Sequence, residues 1–152
     1  MGFGGFRFTT PEDRAILSYW RKTTTTDIVA RGDILKTATD DMVRMTTTTD
    51  NLTFGGIAVE GSPAGDNDPF AVMEPTPHNC GIQFVMDLDT ATAVLRNAQL
   101  QFCSSGNGTS FQQLNPSDTD PIVRASKSNS GSSAKQATVY MLLPNTYLAD
   151  AS

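Results

Sequence analysis

Apolar and polar residues alternate with a period of two along much of this chain, the pattern of strands that bury one face. The clearest run is 82–89. Ile82, Phe84, Met86 and Leu88 fall on one face, and Gln83, Asp87 and Asp89 mostly on the other. Residues 98–102 repeat the pattern, with Leu100 and Phe102 inward. In 137–144, Val139, Met141 and Leu143 face one way, while Tyr140 and Leu142 face the other. That strand is expected to be buried on both sides and to stop at Pro144. "DIVARGDILK" reads as strand, Gly32-Asp33 turn, strand, and "DDMVRM", "LTFGGIAVEG", "DPFAVME", "TSFQQL" and "DPIVRAS" as further strands. Gly55 and Gly56 predict a bulge or a close backbone approach.

One segment departs from this pattern. Thr10 suits a helix N-cap, Pro11 the first helical position, and Glu12 and Asp13 the first turn; Arg21 and Lys22 suit the last turn. These signals predict a helix from Pro11 to about Lys22, with Ile16, Tyr19 and Trp20 on one face. A helix that short is marginal alone in water, so its apolar face must pack on something. Ahead of it, Gly2, Gly4 and Gly5 alternate with Phe3, Phe6 and Phe8, which reads as an arm. "TTTTD" at 23–27 reads as an extended tether, and the same string at 46–50 as a loop or edge.

The β-rich remainder repeats itself. A strand, a turn, a second strand, a Thr-Asp pair, an Ile-containing strand, a loop and a strand closed by proline occur up to Pro75, and the same events occur from residue 98 to Pro144. Ile57 and Ile122 are corresponding positions. Two similar all-β halves predict a small closed or nearly closed barrel, each half covering the other's apolar face. The expected organisation is an N-terminal arm with one short helix over 1–26, a β-barrel domain over 27–144 and a C-terminal tail over 145–152. "DLDTATAVLRNA" would connect the halves.

The chain has 152 residues and a net charge of -5. An acidic chain with scattered basic residues argues against a nucleic-acid partner. No apolar run approaches the roughly 20 residues that span a bilayer, so no membrane partner is expected.

The candidate chemistry is thin. His78 is the only histidine; a pair with Cys80 would lack a third group to orient it. One histidine and two distant cysteines cannot fill a zinc site, and the acidic loops lack a full calcium pattern. No catalytic, cofactor or metal site is expected, and the chain reads as a non-enzyme. Cys80 and Cys103 read as two buried apolar side chains, with a single bridge left open. "RGD" at 31–33 reads as a glycine turn rather than a displayed recognition tripeptide.

"GDILK", then "FGGIAVEGSPAGDNDPFAV", then a second round ending "DPIVRA…ATVYMLLP", resembles the capsid decoration (cement) proteins of tailed bacteriophages. The likeness is to the small β-tulip type, related in architecture to the lambda head decoration proteins. It covers roughly residues 27–144. It implies a β-tulip fold and a homotrimer seated at local threefold positions on the outer surface of the capsid. The partner would be the major capsid protein, and the chain would be made in the cytoplasm of the bacterial host. The N-terminal helix and Trp20 are not part of that pattern. If the arm reaches a neighbour, Phe3, Phe6, Phe8, Ile16, Tyr19 and Trp20 would supply the capsid or subunit contact; the alternative is a helix folded onto its own barrel. A surface carbohydrate- or receptor-binding virion module is the competing function. A small hydrolase is opposed by the lone histidine.

Overall fold

The structure, a computed structural model, describes residues 6–38, 41–45, 53–89, 93–104, 112–129 and 135–143. It is mainly β, with no long helix among the described residues. The strands of the first half are β2 (Ser18–Trp20), β3 (Ile34–Ala38), β4 (Asp41–Arg44), β5 (Phe54–Ala58) and β6 (Phe70–Met73). Those of the second are β7 (Phe84–Asp87), β8 (Gln99–Ser104), β9 (Gln112–Pro116), β10 (Val123–Ala125) and β11 (Gln136–Met141). A two-residue strand, β1 (Arg7–Phe8), precedes them all.

The strands form two sheets with matching topology. One has the order β2-β6-β5-β3-β4; the other has the order β7-β11-β10-β8-β9 with β1 added outside β7. Each strand of the first sheet has a counterpart in the second, taken in the same chain order. Corresponding pairs also agree in register: Ile57 faces Met73 as Val123 faces Met141. Each sheet curls until its two edges touch at one parallel bridge, Lys22 with Met42 and Leu88 with Leu114. The bridge is parallel because an odd number of antiparallel strands lies between.

The two sheets share one core. Ile34, Ile57 and Met73 from the first pack with Phe84, Leu100, Val123 and Val139 from the second. The first sheet buries its reverse face as well, where Leu35, Met42, Ala58, Phe70 and Val72 cluster with Val29 under the half-buried Trp20. Hence β5 and β6 are buried at every residue. β11 differs from expectation. Ala137, Val139 and Met141 are buried, but Gln136, Thr138 and Tyr140 are only half-buried, because the outer face of the second sheet carries no such layer. The inward positions expected in 82–89 and 98–102 are all buried.

The glycine pair in β5 acts as expected. The register slips between Leu35 and Lys36, which oppose Gly56 and Phe54, leaving Gly55 as the extra residue. Gly56 sits at φ 119°, and a Cβ there would collide with the Met73 carbonyl of the neighbouring strand. At the seam between the halves, the buried Gln112 of β9 bonds the backbone of Ile34 and Met45.

The N-terminal expectation is corrected. Only Glu12–Arg14 turn, as a single 3-10 turn; Ala15 is already extended at φ -74°, ψ 142°. Ser18–Trp20 is a strand that pairs antiparallel with β6. A three-turn helix gains little by itself, whereas the open edge of β6 offers backbone partners, and Tyr19 and Trp20 favour strand geometry. Residues 6–22 are not a detached arm either, since β1 extends the second sheet and β2 the first. The first threonine string is a compact turn rather than a tether. The buried Lys22 ammonium donates to the carbonyls of Thr25, Asp27 and Pro63 at 3.3, 2.7 and 2.6 Å. The second string at 46–50, the tail 145–152 and Phe3 lie outside the described residues.

Candidate attachment surface

Three attachments fix the N-terminal segment and decide which of its apolar side chains remain available. The first is aromatic. Phe6 lies edge-on to Phe8 at 5.3 Å and tilted on Phe84 at 5.8 Å. The Arg31 guanidinium sits over both Phe6 and Phe8 rings, 5.5 Å from each centroid, and also bonds Glu12 and the Val59 carbonyl. Gly32, at φ 91°, leaves room for Phe6: a Cβ there would lie 2.8 Å from the ring. Phe6 and Phe8 are therefore half-buried against their own core.

The second attachment is polar. The buried Asn79 mimics a strand, accepting from Ile16 N at 2.9 Å and donating to Ile16 O at 2.8 Å. Its neighbour His78 places Nε2 2.6 Å from the Arg14 carbonyl. The third is the β2–β6 pairing, which alternates side chains across the strand. Trp20 turns inward onto the Leu35–Phe70 cluster, and Tyr19 turns outward, 67% exposed. Ile16 is 59% exposed.

The six expected contact residues are thus divided. Ile16 and Tyr19 are presented, Phe6, Phe8 and Trp20 are partly used within the subunit, and Phe3 lies outside the described residues. Beside Tyr19 is an open recess of about 440 Å³, bordered also by Trp20, Arg21, Asp41 and Pro69. Sequence reasoning considered His78 and the 31–33 turn but gave neither them nor Asn79 a part in fixing this segment, because that signal is only tertiary.

The remaining candidates resolve as follows. Asp33 of the "RGD" tripeptide is fully buried. Its carboxylate accepts from Ala30 N at 2.8 Å and pairs with Arg44 at 3.3 Å, so the tripeptide is not displayed. Burial raises the Asp33 pKa above the usual range against the lowering effects of the Ala30 amide and Arg44. Cys80 and Cys103 are free thiols. Burial pushes Cys80 up to about 11, which leaves it protonated and unreactive near neutrality. Cys103 is also raised, by burial and by Asp89, whose carboxylate is 3.5 Å away. Among the described residues no three of His, Cys, Asp and Glu gather into a metal-holding group. No known protein family matches the sequence, and no curated protein matches it.

Proposed function

We propose that the chain is a structural virion protein, a decoration protein of β-tulip type that binds the outside of a tailed-phage capsid and stabilises the head. It acts as a homotrimer at local threefold positions, with the major capsid protein as its partner. The observation that carries this reading is the doubled topology. Two curled five-strand units of the same strand order coincide with the two rounds of motifs that resemble the decoration family. The outward Ile16 and Tyr19 give such a protein an apolar contact on a braced segment, and Tyr is well suited to an interface. Many copies per particle would turn a small contact into firm retention.

Co-sedimentation tests the reading. Purified chain is added to heads assembled without it by the phage that encodes it. The expected result is saturable binding and heads that survive more heat or osmotic shock. Protein that stays in the supernatant at saturating concentration would overturn the reading. So would binding to host cells or glycans in place of heads, which is the outcome for a receptor-binding module.

A further inference from the structure

The two sheets match in topology but not on their outer faces, and the second face is locally basic on an acidic chain. Arg124 stands in a cross-strand row with Gln99 and Tyr140. Arg7 lies opposite Val85 on the same face. Arg7 and Lys127 border a recess of about 170 Å³; Arg96 and Tyr140 border another of about 270 Å³. Lys135 lines a third recess with Asp87 and Gln136. Asp87 and Asp118 lie among these cations. Asp87 is held by Gln136 Nε2 at 3.1 Å. Asp118 is held by Gln99, whose amide oxygen also accepts from Arg124 Nη2 at 2.9 Å. Arg124 Nε, Gln101 Oε1 and Asn115 Oδ1 are buried in this sheet without a partner. Arg7, Arg96, Lys127 and Lys135 are exposed.

The complementary feature lies in the first half. Residues 60–69 carry Glu60, Asp66 and Asp68 and no basic residue. The loop is braced from beneath. Lys22 holds the Pro63 carbonyl, Gly65 N donates to Thr25 O at 2.6 Å, and Val29 and Ser62 exchange backbone bonds at 2.9 and 2.7 Å. Its tip is open, with nothing within 4 Å of where a Gly65 Cβ would stand. Asp66 Oδ1 fixes the turn by accepting from Asp68 N at 2.8 Å.

We infer that a second copy of this chain docks its acidic 60–69 loop on the basic outer face of the second sheet. The contact is heterologous, one patch meeting a different patch, which is the type that closes into a ring when the rotation permits. The inference rests on the homotrimer part of the function proposed above and names the surfaces that join its subunits. Charges at such a surface set orientation and exclude like-charged pairings. A rigid loop also loses little freedom on docking.

Charge exchange tests it on the full chain, with sedimentation velocity reading the oligomer and circular dichroism checking the fold. Raising ionic strength from about 0.01 M to about 1 M cuts the screening length from roughly 30 Å to roughly 3 Å and is expected to dissociate the oligomer. Arg96→Glu with Lys127→Glu should weaken self-association by about tenfold or more. Asn67→Lys with Asp68→Lys should do the same while leaving the Asp66 turn in place. All four changes in one chain should restore the oligomer, because the two new lysines of the loop then meet the two new glutamates of the face. A wild-type chain that stays monomeric at low salt and high concentration overturns the inference. So do two folded single-surface variants that associate like wild type, or a four-fold variant that is not restored. Loss of head binding by a variant that still forms the oligomer counts against the capsid reading and leaves this contact standing.

Discussion

Gln112 and Ile34 form a complete two-way hydrogen-bonded pair across the seam between the halves. The glutamine Oε1 accepts from Ile34 N at 2.6 Å, and its Nε2 donates to Ile34 O at 2.9 Å. The same nitrogen donates to Met45 O at 2.8 Å. A side chain on β9 thus takes up Ile34 N at the start of β3, and it adds a second donor to Ile34 O, which Met45 N also reaches at 2.9 Å. Gln112→Leu keeps the volume but leaves the buried Ile34 N without its acceptor. At roughly 1–3 kcal/mol for an unmet group, the expected loss is about 1–3 kcal/mol. Urea unfolding followed by tryptophan fluorescence and by circular dichroism measures it. A loss under about 1 kcal/mol would mean that the seam is held by apolar packing alone.

Gly56 of β5 and Gly65 of the 60–69 loop give a graded pair of outcomes. Gly56→Ala meets both a left-handed φ and the Met73 carbonyl, so it should cost about 3 kcal/mol or more. Gly65 has a similar φ of 88° but open space around it, so Gly65→Ala should cost only about 1 kcal/mol. Thermal melts of the two variants check the ranking, and equal losses would contradict the close approach at β5.

Tyr19 and Trp20 are adjacent but face opposite ways, so their substitutions should separate stability from attachment. Trp20→Ala removes part of the cover of the Leu35–Phe70 cluster and should destabilise the isolated chain by about 2 kcal/mol. Tyr19→Ala should leave the melting temperature nearly unchanged and weaken retention on heads. Trp20 fluorescence in the isolated chain should already be partly shielded from iodide. A fully quenchable Trp20 would mean that β2 is not docked in solution.

Both thiols should be alkylated by iodoacetamide in denaturant without reductant, since neither is bridged. In the native chain at pH 8, Cys80 should react slowly, because a thiol raised to about 11 holds little thiolate. The folded state therefore binds the Cys80 proton more tightly than the unfolded chain does. That contribution is intact below about pH 9, the ordinary thiol value, and is lost as pH rises through about 11. Cys80→Ala should flatten the alkaline decline in stability, and an unchanged decline would assign it to other groups.

Asp33 carries the same sign in acid. Its folded pKa is raised, so its protonation favours the fold below the ordinary carboxylate range, and that advantage is lost as pH rises through the folded value. Asp33→Asn keeps an acceptor for Ala30 N and should make stability less dependent on pH just above that range. Denaturant titrations between about pH 3 and pH 7 compare the slopes.

The strands with one buried face were legible because side-chain alternation survives any tertiary arrangement. Phe84, Met86, Leu100 and Phe102 all lie where their alternation put them. The doubling was legible from the order of events, although the pair of isoleucines misplaced the offset by one residue: the counterpart of Ile57 is Val123, which lies opposite Met141 as Ile57 lies opposite Met73. The first turn of the N-terminal segment was also readable, since Glu12–Arg14 does turn. What followed was not. Ile16, Tyr19 and Trp20 fit helical spacing as well as strand alternation, and the outcome was decided by Asn79 and the edge of β6, 50 or more residues downstream. The inward turn of Asp33 was hidden for the same reason, because Arg44 reaches it only once β3 and β4 have paired.

The placement of β1 bears on how the chain is born. Arg7 pairs with Val85, so this strand must wait for a partner made 78 residues later (85 minus 7). At synthesis rates of roughly 5–20 residues per second, that wait is about 4–16 s. During it, β2 can join β6 and the first curled unit can close, while Phe6, Phe8 and Arg31 stand without the Phe84 ring that completes their stack. Phe6 and Phe8 are therefore open to chaperones and to mispairing while the ribosome is still at work.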